Sequence, residues 1–291
     1  MKNETLAEAR KITKRKKGTI KAQSEFFRTA RYGLTLQEHR IIYYAILEGQ
    51  QEGRPFEPVT LSVSEFKRMF ELKGESSYSE LRKLSLKLVG RTTEIAHKDD
   101  DGLKYTALNW LSRITYNLKE GTVTITPNKE LKPFFEGKPF TTMEYYFLLK
   151  FTSAYAERLY EILKSLNHKT IIDFDIDDLA KRLSVPKSYA ANYADLKKRV
   201  LDPAIKDINE FTDLDIDIRD KRGRYNKVTT VIFSLRQKEV PKLAERVERG
   251  EFVPPLSEEE QEIILRELLD ENEIEGQLSM LDEAVFNSEN D

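Results

Sequence analysis

Lys197, Lys198 and Arg199 stand in a row near the start of a helical stretch, and Lys221, Arg222 and Arg224 follow in a turn further along. A guanidinium offers paired donors that match O6 and N7 of guanine, while an ammonium is a point charge suited to phosphate oxygens. Covalent chemistry needs other residues in other patterns. The chain has no cysteine, so it lacks thiolate nucleophiles, disulfides and cysteine metal sites. Its three histidines, His39, His97 and His168, are far apart and lack metal-ligand spacing. No phosphate-cradling Gly-rich loop ending in Gly-Lys-Ser/Thr occurs, which argues against a helicase or ATPase. A tyrosine-dependent rolling-circle nickase would need a close histidine pair to hold its metal. Tyr43, Tyr160 and Tyr193 read instead as core or helix-packing residues. The expected chemistry is binding: no catalytic residue, no cofactor and no metal.

Residues 195–213 predict a long helix with that basic start, running into two alternating strands at 214–218 and 228–235. Between the strands, residues 220–227 form a basic turn. A cation-led helix followed by a cationic hairpin outlines a winged helix-turn-helix, in which the helix enters the major groove and the hairpin reaches the adjacent backbone. The alternative is an amphipathic surface helix with solvated charge. On a helical wheel Leu196, Val200, Ala204 and Phe211 share a face, which turns Lys198 and Arg199 outward. Asp195 and Asp202 flank them and would repel phosphate, so contact should be local, with Arg199 on guanine and the lysines on phosphates. About half of these cations are expected to touch DNA. Pro203 either bends this helix or restarts it at a first turn.

A second copy of the plan precedes the first. A helix at 35–47, with Ile42, Ala45 and Ile46 on one face, matches one at 152–166 carrying Leu159, Ile162, Leu163 and Leu166. Residues 61–72 then match 174–185 as a short strand and a helix, with Ser64 and Asp177 at the expected N-cap positions. Tyr78 to Leu86 aligns with Tyr193 to Leu201, repeating tyrosine, acid, leucine and two cations. A strand pair closes each unit: in the first, 92–97 and 104–117 around the turn 98–102, with a further strand at 122–126. The expected fold is α+β, mainly helical, with two tandem winged helix-turn-helix domains related by internal duplication.

Composition agrees with a DNA partner. The net charge of −2 hides 17 acidic and 4 basic residues after position 238, which leaves 44 basic and 33 acidic residues before it. A cationic body of this kind favours nucleic acid. No apolar run approaches the ~18 residues of a membrane span, and the N-terminus lacks the apolar core of a secretory signal. A cytoplasmic, bacterial setting without membrane contact is expected.

Tyr193 to Leu214, the hairpin ending Val231 to Ser234, Tyr155 to Leu163 and the opening Leu34 to Arg40 resemble the initiator replication proteins of iteron (theta-replicating) plasmids. The likeness covers residues 25–236 and is more specific in the second half. It implies two winged-helix domains, each placing its third helix on part of a repeated origin sequence. Monomers would bind the repeats and start replication, while homodimers joined mainly through the first domain would repress the initiator's own promoter. DNA contact would fall on Arg82, Lys83 and Lys87 in the first domain, and on Lys197, Lys198, Arg199, Lys221, Arg222 and Arg224 in the second. Host partners would include the helicase or its loader. A winged-helix transcriptional regulator without an initiation role is the rival reading.

Both ends carry content of their own. Residues 1–31 hold ten cations and three acids, and are expected to be a flexible basic arm lying along DNA phosphates or serving solubility. The apolar anchors at 24–27 mark the expected start of the fold. In the acidic tail, Ser257 and Glu260 make a capping box before a short amphipathic helix. Gln277, Leu278, Met280 and Leu281 resemble the peptide by which polymerases and repair proteins hold the replicative sliding clamp. An aromatic is preferred where Leu281 stands, and packing against the tail helix is the alternative. The expected organisation is a basic arm (1–31), a first winged-helix domain for dimerisation and DNA contact (32–138), a second for main recognition (139–238) and an acidic tail (239–291).

Overall fold

Thr35 begins the first long helix, α2 (Leu36–Gln51), through a reciprocal cap. Its hydroxyl accepts from the Glu38 amide at 3.3 Å, and the Glu38 carboxylate accepts from the Thr35 amide at 2.9 Å. Thr35→Ala is expected to lower stability by about 1 kcal/mol, measurable as a shifted urea midpoint with unchanged m-value. Residues 41–47 of α2 are all buried, so this helix is apolar on every side rather than on one face. It is an interior helix, wrapped by both halves.

The structure, a computed structural model, describes residues 18–238 apart from 70–77, 100–101 and 118. The basic run at 10–17 and the tail with Gln277, Leu278, Met280 and Leu281 lie outside the described residues. Before α2 come β1 (Thr19–Gln23) and α1 (Ser24–Thr29). The fold therefore starts earlier than the apolar anchors suggested, inside the expected arm. Ile20 and Ala22 alternate inward while Lys21 stacks 3.9 Å from the Phe140 ring, so cations on the outer face masked a strand.

The first half continues with β2 (Val59–Ser62), α3 (Val63–Met69), α4 (Tyr78–Val89), β3 (Thr92–Asp99), β4 (Gly102–Asn109), β5 (Leu111–Asn117) and β6 (Thr122–Pro127). It ends with α5 (Lys132–Glu136), β7 (Phe140–Glu144), which pairs antiparallel with β1, and α6 (Tyr145–Lys150). The second half holds α7 (Ala154–Lys164), β8 (Ile171–Asp175), α8 (Ile176–Arg182), α9 (Lys187–Ala190), α10 (Tyr193–Leu196), α11 (Asp202–Phe211), β9 (Leu214–Arg222) and β10 (Val228–Gln237).

The two halves share one sheet plan. The order β2-β6-β5 in the first matches β8-β10-β9 in the second, all antiparallel. The hairpin equivalent to β9–β10 is thus β5–β6, and β3–β4 is a separate two-stranded ribbon. The strand expected over 104–117 breaks at Trp110, because the chain turns there to bury the indole completely. The Trp110 amide donates to the Arg91 carbonyl at 3.0 Å, which fixes the turn.

Both short helices are capped two residues earlier than expected, by Ser62 and Asp175 rather than Ser64 and Asp177. Ser62 accepts from the Glu65 amide at 3.0 Å, and Asp175 accepts from the amides of Asp177 and Asp178 at 2.9 and 3.0 Å. In each copy the last strand residue is itself the cap, so strand passes into helix with no loop between.

A buried ionic cluster lies where α2 meets α7. His39 Nδ1 is 2.9 Å from Glu157 Oε2, and His39 Nε2 is 3.1 Å from Glu161 Oε1. Glu161 also accepts from Tyr43 at 2.6 Å, from Arg158 Nη1 at 2.9 Å and from Tyr32. Burial opposes a charged His39, but the two glutamates outweigh it and push its pKa up to about 10. Burial likewise raises Glu161, yet His39 and Arg158 overcome this and bring it down to about 2.

The sign follows from linkage. Stability from His39 is complete below its ordinary value of ~6.5 and is lost as pH rises through about 10. Stability from Glu161 is present above the ordinary carboxylate range and is lost as pH falls through about 2. The melting temperature is expected to fall between neutral pH and pH ~10, and His39→Gln to flatten that slope. Parallel pH profiles for the two proteins would remove His39 as the cause.

Candidate nucleic-acid interface

The helical stretch from α10 to α11 is continuous but not uniform. Pro203 lacks an amide hydrogen, and its ring crowds the carbonyl four residues back. The turn before it widens into a π-turn over Lys197–Leu201, where the Asp202 amide bonds to the Lys197 carbonyl. Pro203 stands in the first turn of α11, one of the two places expected for it, directly after a wide turn that keeps the helical stretch continuous. Leu196, Val200, Leu201, Ala204 and Ile208 are buried on the inner face. Phe211 is only half-buried, since the wide turn rotates the later residues and Ile208 fills the place expected for it.

Lys198 and Arg199 point outward and are exposed, while Lys197 is partly covered. The acids expected to repel phosphate are instead paired with the basic residues. Asp202 holds Lys197 at 2.5 Å, a five-residue spacing that the π-turn brings together, and Asp195 lies 3.4 Å from Arg199 one turn earlier. The Arg199 guanidinium also sits 5.0 Å from the centre of the Tyr189 ring on α9. Arg199 is therefore held in place before any ligand arrives. Lys198 is exposed and has no ion pair among the described residues.

The second hairpin outruns its sheet. β8 pairs with β10 only from Thr230 to Ser234, so β9 and β10 project beyond it as a two-stranded wing. The register shifts between Val228 and Thr230, and such a bulge twists and re-aims a strand. Lys221, Arg222, Arg224 and Lys227 are exposed on the wing. Tyr225 stands at its tip, 98% exposed and in the left-handed region with φ 57°.

A cleft of about 760 Å³ separates the start of α10 from the wing, lined by Asn192 and Tyr193 on one side, Lys227 and Thr229 on the other, and Asp175 and Asp177 at the start of α8; of the basic residues Lys227 lines it. Burial raises the pKa of the Tyr193 phenol, as do Asp220 and Asp202, while Arg222 opposes them. Tyr193 is accordingly not a core residue. It is half-buried between the helix and the wing, unlike the fully buried Tyr43 and Tyr160.

The first half repeats the plan with weaker charge. Arg82, Lys83 and Lys87 are exposed on α4, but Lys87 lies 3.2 Å from the buried Glu38 carboxylate. Arg91 grips the same carboxylate with two bonds of 2.9 and 3.0 Å. Burial raises the Glu38 pKa, but Arg91, the Thr35 amide and Lys87 together bring it below the usual carboxylate value. Lys87 thus helps anchor α4 to α2. The wing turn between β5 and β6 carries Lys119 beside Glu120 and is far less basic than the second wing.

Tyr189, Tyr225 and Lys227 were not among the residues singled out from sequence. Tyr225 could have been noticed as an aromatic within a Gly-Arg-Tyr-Asn turn, where burial has no use for it. Tyr189 gave no such signal, because its contact with Arg199 crosses the turn between two helices.

Comparison with known proteins decides the lineage. Residues 19–164 match the family model "Initiator Replication protein, WH1", and residues 175–235 match "Initiator Rep protein, WH2". The chain belongs to the initiator replication protein family. Residues 19–164, which take in α7, are the family's WH1, and residues 175–235 its WH2.

A replication initiation protein of Escherichia coli is 26% identical over 216 residues, which cover 71% of this chain and 66% of that protein. Among solved structures, the Pi initiator protein in complex with iteron DNA is similar in fold, with TM-score 0.55 and 18% identity. That match covers 77% of this chain and 99% of the other. The WH1 domain of MSBI1.176, a replication protein isolated from a multiple sclerosis patient, aligns with 25% identity and TM-score 0.30 over 35% of this chain and 81% of that domain.

Among the described residues no helix is long and apolar enough to cross a membrane, and no group of three or more His, Cys, Asp or Glu side chains could hold a metal ion.

Proposed function

We propose that this protein is a plasmid replication initiator that binds directly repeated duplex DNA with its two winged-helix regions. The observation that carries this reading is that one winged-helix region exposes cations both at the start of its long helix (Lys198, Arg199) and along its wing (Lys221, Arg222, Arg224, Lys227). In the assigned roles, Arg199 reads a guanine edge, Lys197 and Lys198 meet phosphates, and Lys221, Arg222 and Arg224 grip the neighbouring backbone. Arg82, Lys83 and Lys87 make the weaker contact of the first half. Binding by the Pi initiator protein to iteron DNA is the precedent among related folds. The deciding experiment is genetic. A plasmid carrying the gene and its upstream repeats should replicate in a host that cannot otherwise maintain it; promoter repression without replication would leave only a regulator.

Finer parts of the reading have their own tests. The protein acts by binding, so supercoiled origin DNA with Mg²⁺ or Mn²⁺ should stay unnicked. Homodimers in equilibrium with monomers, formed through the first half, would repress the protein's own promoter. The β3–β4 ribbon offers them a surface, because Leu103 and Tyr105 are 55% and 63% exposed on one face. Tyr105→Glu is expected to shift sedimentation from dimer to monomer while leaving the thermal melt within about 1 °C, as for a surface substitution. Host proteins, including the helicase or its loader, would be recruited to the opened origin. In the tail, Gln277, Leu278, Met280 and Leu281 would bind the sliding clamp, and the Gln277→Ala, Met280→Ala double variant should lose clamp pull-down.

A further inference from the structure

The DNA-reading surfaces use none of the buried cluster at the joint of the two halves, although it gathers six polar or charged side chains out of water. Glu161 accepts from Tyr43 on one oxygen, which also lies 3.1 Å from His39 Nε2 as an ion pair, and from Arg158 and Tyr32 on the other. Tyr32, His39 and Tyr43 come from the first half, while Glu157, Arg158 and Glu161 come from α7, which closes the WH1 match and is tied to the second half where Tyr160 and Lys164 donate to Asp213. All of these side chains are almost fully buried.

The cluster is wired to both reading heads. On one side, Glu38 precedes His39 and is held by Arg91, just past the end of α4. On the other, Arg182 at the end of α8 donates to the Arg28 carbonyl, and the Ser184 hydroxyl donates to the Tyr32 carbonyl at 2.9 Å. Arg158 donates to the Ala30 carbonyl as well.

We propose that this cluster is a rigid clamp that sets the separation and angle of the two heads, so that the protein reads the spacing between the two halves of its DNA site. This role presupposes that both winged-helix regions bind DNA. Apolar contacts are non-directional and let packed elements slide. Buried charged hydrogen bonds tolerate a single arrangement, because any slip leaves an unpaired charge out of water. A joint built from them holds two binding surfaces at one distance, and the second contact then forms at high effective concentration.

The test uses the full chain, a duplex holding both half-sites at natural separation, the same duplex with one to five inserted base pairs, and a duplex with the second half-site scrambled. Glu161→Gln keeps the side chain's shape and removes its charge. It is expected to bind the scrambled duplex like the unaltered protein, to bind the natural duplex about tenfold or more weakly, and to lose most of its preference for natural over inserted spacing. Tyr43→Phe deletes one hydroxyl and keeps the ring; it guards against simple unfolding and should lower the spacing preference several-fold. An unchanged spacing preference in folded Glu161→Gln or Tyr43→Phe protein would overturn the clamp. Failure of the unaltered protein to bind any of these duplexes would overturn the DNA-reading role instead, and the two results are distinct.

Discussion

Glu161→Ala is expected to lower folding stability by about 3–5 kcal/mol, the cost of removing one partner from a buried ion pair. The magnitude follows from what is left behind. Arg158 and His39 would remain buried with their shared carboxylate gone, and the hydroxyls of Tyr32 and Tyr43 would lose their acceptor. Each orphaned group adds a desolvation penalty of roughly 1–3 kcal/mol, although His39 can relieve part by releasing its proton. Against a domain stability of ~5–15 kcal/mol, such a loss takes a large share. Urea unfolding would show a much lower midpoint with similar slope. A loss under about 1 kcal/mol would mean that water reaches the joint and that the cluster is an ordinary solvated pair.

Arg199→Ala should relax the choice of one base pair by about 1–3 kcal/mol, or roughly five- to 150-fold, with little change at other positions. Three features favour Arg199 for the proposed role. It is exposed, it is steadied by Tyr189 and Asp195, and it carries the donor fork that guanine requires. Tyr189→Ala should reproduce part of the effect by freeing the guanidinium. Lys198→Ala provides the contrast, since an unpaired ammonium on a flexible stem suits phosphate. It should weaken all sequences evenly and reduce the salt slope by about one. Competition binding against single-base variants of the site separates the two patterns. Equal effects from Arg199→Ala and Lys198→Ala would place base recognition elsewhere.

Much of the second half was legible in the sequence because its signals are local. The alternation of Val231, Phe233 and Leu235 marks a buried strand face, and the cations of 221–224 mark the turn beyond it. The repeat of tyrosine, acid, leucine and cations also put α4 and the α10–α11 helix in equivalent places. What could not be read depended on distant partners. His39 and Tyr43 look like an ordinary polar residue and a packing aromatic until α7 brings Glu157 and Glu161 against them, 118 positions away in each case. Lys87 looks like a free cation until Glu38 is seen beside it. The first half was misread at its hairpin because the β3–β4 ribbon interrupts the shared plan, and only sheet order shows that β5–β6 is the true counterpart of β9–β10. The π-turn before Pro203 escaped because a wheel drawn at constant pitch has no place for it.

Hydroxyl-radical footprinting of the full chain on the DNA flanking its own gene tests the central claim most directly. Two linked winged-helix heads should give protection that recurs at a fixed interval over directly repeated sites, with each repeat contacted in two adjacent parts. That protection should fade steeply as salt rises, as expected for phosphate contacts. Protection that is absent, or spread evenly without regard to repeats, would contradict the assignment of residues 197–199 and the wing to DNA recognition.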